Sequence, residues 1–380
     1  MRIRYTIRHS FLFSCILGLL GSSSVLQAQS PSVDSAESPA FRDVYIGTYT
    51  KGKSEGIYHS RLNLKTGALS APKLAVACLS PNFLVCHPTL PVLYAVQSAP
   101  GGKVASFAIE ETGMLTFLND AVTGNGPCHL DCSPDGKGLY VANYGEGSSV
   151  AFSIDADGKI GARTAHIQHE GSSIDPRRQK GPHAHGIYIH NHRAYVPDLG
   201  LDKVLIFELK DGLRPNEPAF APITPGAGPR HLAFHPSGKT VYSINEMAST
   251  ITVFDMDTSS GGMTEKQVIT TLPDGFSENN STAEIFVSPD GKFVYGSNRG
   301  HDSFAIFKVK KDGGLKAVGH ASSGGKTPRG FGIDPSGDWL ISANQNSDSV
   351  LSYRRDAKTG ALTATGSRIE VGNPVCIIFR

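Results

Sequence analysis

The sequence predicts an all-β fold: a seven-bladed β-propeller of four-stranded antiparallel blades, with the C-terminal strand completing the first blade. Three observations carry this. One short motif recurs around the chain, seven times in 380 residues. Each copy opens a unit that reads as four short strands separated by Gly and Pro turns. No segment sustains the 3.6-residue period of a helix.

The motif is clearest in GPRHLAFHPSGKTVYSINE, from Gly228 to Glu246. An apolar run, a Pro-x-Gly turn and a second apolar run make a hairpin. GPCHLDCSPDGKGLYVANY, STAEIFVSPDGKFVYGSNR and TPRGFGIDPSGDWLISANQ repeat it. GPHAHGIYIHNHRAYVPDL and SPNFLVCHPTLPVLYAVQS are looser copies. An alternating strand, a Gly turn and a last strand follow each, as in STITVFDMD or KVLIFELKDGL. Units of this kind, repeating roughly every 45 to 55 residues, indicate a propeller. The anchors are Pro81, Pro127, Pro182, Pro229, Thr282, Pro328 and Pro374. The last, NPVCIIFR, is a lone first strand, and the first unit, DVYIGTYT onward, lacks one. The two complete each other, which leaves no open edge between first and last blades.

The N-terminus departs from the repeat. Arg2, Arg4 and Arg8 precede the apolar run FLFSCILGLL, and a cleavage point follows at Ala28. Residues 1–28 therefore read as a signal peptide, 29–41 as a disordered leader and 42–380 as the propeller. A periplasmic or secreted protein is expected, with no membrane attachment after cleavage. Cleavage takes the formal net charge from +2 to −1, and no Lys/Arg run forms a nucleic-acid surface. Cys78, Cys86, Cys128, Cys132 and Cys376 remain, an odd set that reads as free thiols rather than a disulfide framework. No metal site or cofactor is expected, and a monomer is.

Aligning the units by their anchors sorts the residues into columns. Three positions after the anchor stand Leu84, Leu130, His185, Leu232, Ile285, Phe331 and Ile377, a packing column broken only by His185. That His is either a core histidine or a funnel residue. One and two positions after the anchor lie Arg230, His231, His183, His129, Glu284 and Arg329. Sixteen and seventeen positions after it lie Asn245, Asn298, Glu246 and Arg299. The two strands run antiparallel, so the start of one and the end of the other meet at one mouth of the central channel. The Asn column reads as strand-end caps or as ligand contacts. Several Arg and His at one funnel favour an anionic ligand over a surface ion-pair ring.

Taken together, YIGTYTKGKSEGIY, LNLKTGALS, GPHAHG, GPRHLAFHPSGK with NE after it, SPDGKFVYGSNRG and TPRGFGIDPSG resemble the seven-bladed propeller lactonases. The type activity of that family is 6-phosphogluconolactonase, and fungal carboxymuconate-cyclising enzymes are relatives. The resemblance covers about residues 42–380. It implies a site of one His, two Arg and one Glu, which fall on His185, Arg230, Arg299 and Glu246. His129, His183, His231, Asn245, Asn298 and Arg329 are expected to bind substrate.

Opening a lactone needs an activated water and donors for the oxyanion. Glu246 or His185 is the base. Neighbouring arginines keep Glu246 ionised and so weaken it, which favours His185. No G-x-S-x-G nucleophile is present, so direct water attack is expected. The expected ligand is a lactone or an anionic sugar acid. Two alternatives stay open: a lactonising enzyme acting on muconate-type acids, and a non-catalytic propeller that binds a ligand or a protein.

Overall fold

The computed structural model describes residues 40–210 and 212–380. The expected signal peptide and nearly all of the expected leader lie outside them. Phe41, expected in the leader, already opens a strand, Phe41–Thr48.

Seven four-stranded antiparallel sheets form the ring. The last strand, Pro374–Phe379, pairs with Phe41–Thr48 and becomes the innermost strand of blade 1. Blades 2 to 7 begin with inner strands Pro81–Cys86, Pro127–Cys132, Tyr188–His190, Pro229–Phe234, Ser281–Val287 and Pro328–Ile333. Five of the expected anchors are the first residue of their strand, and Thr282 is the second of its own.

Blade 4 departs from the expectation. Its regular inner strand begins at Tyr188 rather than beside Pro182, and only an isolated bridge joins Ala184 to Asp198. The facing strand carries Pro197, which has no N–H to give to the ladder. Bonds from the His185 N–H to the Pro197 carbonyl, 2.9 Å, from the Leu199 N–H to the His183 carbonyl, 3.0 Å, and from the His183 N–H to Asp198 Oδ1, 2.8 Å, hold this stretch in place.

The apolar core is divided rather than central. Seven clusters of buried side chains each lie between two neighbouring blades. Alternation along each strand sends residues to one junction or the other. A polar bond ties most junctions at their outer side. Tyr45, Tyr94, Tyr195, Tyr242 and Tyr295 each donate their hydroxyl to a glycine carbonyl in the outer turn of the next blade. Between blades 7 and 1 the Trp339 indole N–H donates to the Leu64 carbonyl instead, at 3.2 Å. Gly360, one of these turn glycines, has φ +77°, and a Cβ there would stand 2.4 Å from the Phe293 ring.

A bulge sits at the top of the inner strands. The ladder slips between Pro81 and Phe83, Pro127 and His129, Pro229 and His231, Thr282 and Ile285, and Pro328 and Gly330. A bulge sets extra residues against one partner and re-aims their side chains. The freed residues include Asn82, Cys128, Arg230, Glu284 and Arg329. The fold thereby turns polar side chains toward the channel mouth without breaking the apolar packing below.

Candidate active site

Glu246 is the hub of the mouth. It follows the strand Thr240–Asn245 and is 6% exposed. Arg178 Nη2 donates to Oε1 at 2.7 Å, and Arg299 Nη2 to Oε2 at 2.8 Å. Arg230 Nε lies 3.2 Å from Oε2 but out of line for a hydrogen bond, so it acts through charge. Burial alone would raise the Glu246 pKa; Arg299 and Arg230, with the Arg178 bond, outweigh it and hold the carboxyl well below the usual range. Burial in turn pushes the Arg299 guanidinium down to about 9, still protonated at neutral pH.

His185 stands beside this hub, with Nε2 3.6 Å from Glu246 Oε2. Burial and then the Arg230 charge push its pKa well below 6.5, so the ring is neutral at pH 7. Being uncharged, it adds nothing to the cations that hold Glu246. Its other nitrogen faces Cys128 Sγ at 3.9 Å. Tyr144 and His231 flank the ring, with centroids 5.0 and 5.5 Å away.

These groups wall a cavity of about 350 Å³. Tyr49, Ser98, Tyr144 and Glu246 line it from the residue that follows each second strand, Arg299 from the last residue of its own, and His185, Cys128, Asn82, Arg178 and Arg329 add to it. A recess of about 10 Å³, lined by Arg230, His231, Glu284 and Arg329 among others, lies next to it. Further in, His129 packs on Phe83 at 4.0 Å, on Tyr188 at 4.5 Å and on His231 at 5.2 Å. His129 and His231 are both buried. His231 and Glu284 are joined at 2.7 Å, and burial pushes the Glu284 carboxyl up to about 7. A larger groove of about 770 Å³ opens between blades 3 and 4, and it contains none of these groups.

The structure thus brings His185, Glu246, Arg230 and Arg299 together. Arg329 shares their cavity, and His231 lines the recess. His129 sits deeper. His183 is turned aside: its ring stacks on Tyr144 and Nδ1 meets the Tyr144 carbonyl at 2.9 Å. Asn245 and Asn298 do not face the cavity either. Asn245 Nδ2 bonds Thr250 and Thr252 within its own sheet, and Asn298 Nδ2 bonds the Thr271 carbonyl, which follows the last strand of blade 5. Their amides serve the strand ends, since the side chain before Glu246 or Arg299 points the opposite way. Arg178, Tyr49 and Tyr144 line the cavity, and the columns did not single them out. Among the described residues, no group of three or more His, Cys, Asp or Glu is placed to hold a metal ion. Cys78, Cys86, Cys128, Cys132 and Cys376 are all free thiols.

A ring of seven four-stranded blades with a cationic pocket at one mouth defines a β-propeller with a candidate small-molecule site. The family model "Lactonase, 7-bladed beta-propeller" matches residues 43–379, and the chain belongs to that family. It is 37% identical over 341 residues to a 6-phosphogluconolactonase of Bacillus subtilis, covering 88% of this chain and 97% of the relative. It is 33% identical to a 6-phosphogluconolactonase of Formosa agariphila, covering 84% and 94%. Among solved structures it resembles the periplasmic gluconolactonase PpgL of Pseudomonas aeruginosa, with 30% identity, TM-score 0.84 and coverage of 89% and 99%. The relatives support a lactonase function.

Proposed function

We propose that this protein is an exported hydrolase that opens a sugar lactone by direct attack of water at the channel mouth. The carrying observation is the neutral, buried His185 placed beside a carboxylate that three arginines keep ionised. A neutral imidazole has a lone pair for the water's proton. The imidazolium that forms lies 3.6 Å from Glu246, which stabilises it. Glu246 itself is too well paired to act as the base and instead orients His185. Arg178 and Arg299 face the cavity and supply a positive field for the oxyanion of the tetrahedral intermediate. The proton then passes to the departing ring oxygen as the ring opens.

Export rests on the expected signal peptide and on the likeness to a periplasmic gluconolactonase. The test is hydrolysis of phosphorylated and plain gluconolactone by the mature protein, with spontaneous opening subtracted. Turnover that drops about 100-fold or more in a folded His185→Ala variant supports the reading. Turnover that survives the substitution removes His185 as base. A folded parent with no turnover on any lactone replaces the reading with a binding propeller.

A further inference from the structure

The arginines of the mouth are not equivalent. Arg178, Arg230 and Arg299 all converge on Glu246. Arg329 lines the same cavity, yet no carboxylate among the described residues pairs with it. It is the freed bulge residue of blade 7, aimed at the channel. Its Nη2 donates to the Tyr49 hydroxyl at 3.2 Å, and its guanidinium lies 5.5 Å from the Tyr49 ring centroid. Asn82, the bulge residue of blade 2, donates from Nδ2 to the same hydroxyl at 3.4 Å. The phenol oxygen thus accepts twice, and its own proton is left for an acceptor. Asn82 is 6% exposed, and its Oδ1 has no partner among the described residues. Leaving such an atom unmet in a buried setting is costly.

Tyr49, Asn82 and Arg329 come from blades 1, 2 and 7, whereas Glu246 and its partners come from blades 4, 5 and 6 and the segment before blade 4. The pocket therefore has two sides. One is a carboxylate wrapped by cations. The other is a guanidinium with no carboxylate at ion-pair distance among the described residues; the acid lining its recess, Glu284, is bonded to His231 instead. The Arg329 charge also disfavours the protonated forms of Arg230 and His185, second to burial for Arg230. Like charges facing one pocket repel until an anion lies between them.

We propose that Arg329, Tyr49 and Asn82 form an oxyanion subsite that takes an ionised acid group of the substrate, carboxylate or phosphate, across the pocket from Glu246. Arg329 supplies charge and a planar fork, and Tyr49 supplies a neutral donor. Asn82 reads a hydroxyl next to the acid group. This places the substrate's acid group across the pocket and leaves Arg178 and Arg299 to face the oxyanion of the reacting carbonyl. The assignment to a lactone substrate rests on the hydrolase reading above; the anion site itself does not.

The test uses binding of open-chain acids that do not turn over. Glucarate, gluconate 6-phosphate and gluconate are titrated calorimetrically into the parent, Arg329→Gln and Tyr49→Phe proteins. The parent is expected to bind glucarate, gluconate 6-phosphate or both at least about ten-fold tighter than gluconate. Which of the two binds tighter names carboxylate or phosphate as the preferred group. Arg329→Gln is expected to lose most of that preference, and Tyr49→Phe part of it. A folded Arg329→Gln protein that binds all three acids as tightly as the parent, with the same preference, overturns the proposal. An Arg329-dependent preference in a parent that hydrolyses no lactone keeps the subsite and removes only the hydrolase reading.

Discussion

Arg299 Nη2 stands 2.8 Å from Glu246 Oε2, and the same nitrogen donates to the Thr282 carbonyl. One guanidinium thus ties the hub carboxylate of blade 5 to the backbone of blade 6. The contact is structural and electrostatic at once, so it cannot be cut without consequences for both.

Glu246→Gln leaves Arg178, Arg230 and Arg299 crowded with no counter-charge. Breaking a buried ion pair from one side costs roughly 3–5 kcal/mol. The variant is expected to melt lower than the parent and to lose most turnover. Added phosphate should raise its melting temperature more than the parent's, by sitting among the three guanidiniums. Equal response of both proteins to phosphate in a thermal shift series contradicts this.

Glu284 gives a pH signature. Its folded pKa, pushed up by burial to about 7, lies above its unfolded value near 4.5. Between those values the folded state binds more protons than the unfolded one, so this group's contribution to stability falls as pH rises. Glu284→Gln removes the loss. Relative to the parent, the variant should gain up to about 3 kcal/mol between pH 4.5 and pH 7. Denaturant midpoints at several pH values measure it, and a flat difference refutes it.

His129, His185 and His231 act in the opposite sense. Burial pushes all three well below 6.5. Below pH 6.5 the unfolded chain takes up protons that the folded chain refuses, so the propeller is expected to lose stability on acidification. Turnover, by contrast, should hold on the acid side well below pH 6.5, because His185 stays an unprotonated base there. A rate profile with an acid limb centred near 6.5 speaks against His185 as the base.

The junction bonds can be weighed one at a time. Tyr295→Phe removes the bond to the Gly360 carbonyl and should cost about 1 kcal/mol. Gly360→Ala, at φ +77° and against Phe293, should cost about 2 kcal/mol or more. Urea melts of the two variants give the order, and a smaller loss for Gly360→Ala would show that the turn yields.

The blade count and the closure were legible because anchor residues mark nearly every inner strand. The mouth was legible because antiparallel strands put two ends of a hairpin together. Asn245 and Glu246 were read as neighbours on one face, yet alternation turns Asn245 into the sheet and Glu246 to the pocket. Arg178 escaped because it sits in a segment, before blade 4, that has no counterpart in other blades and hence no column. Tyr49 escaped because its unit lacks the anchor from which the columns were counted; its inner strand arrives from the far end of the chain. The free guanidinium of Arg329 became visible only once the partners of the other arginines were known.

The pairing of Pro374–Phe379 with Phe41–Thr48 also sets an order of events. During synthesis the first blade waits, with one edge bare, until the last strand emerges from the ribosome. Six blades can take shape in that interval, but the ring cannot lock. Closure therefore falls last, and the pocket at the centre of the ring, assembled from residues on both sides of the seam, is complete only once the two ends of the chain have met.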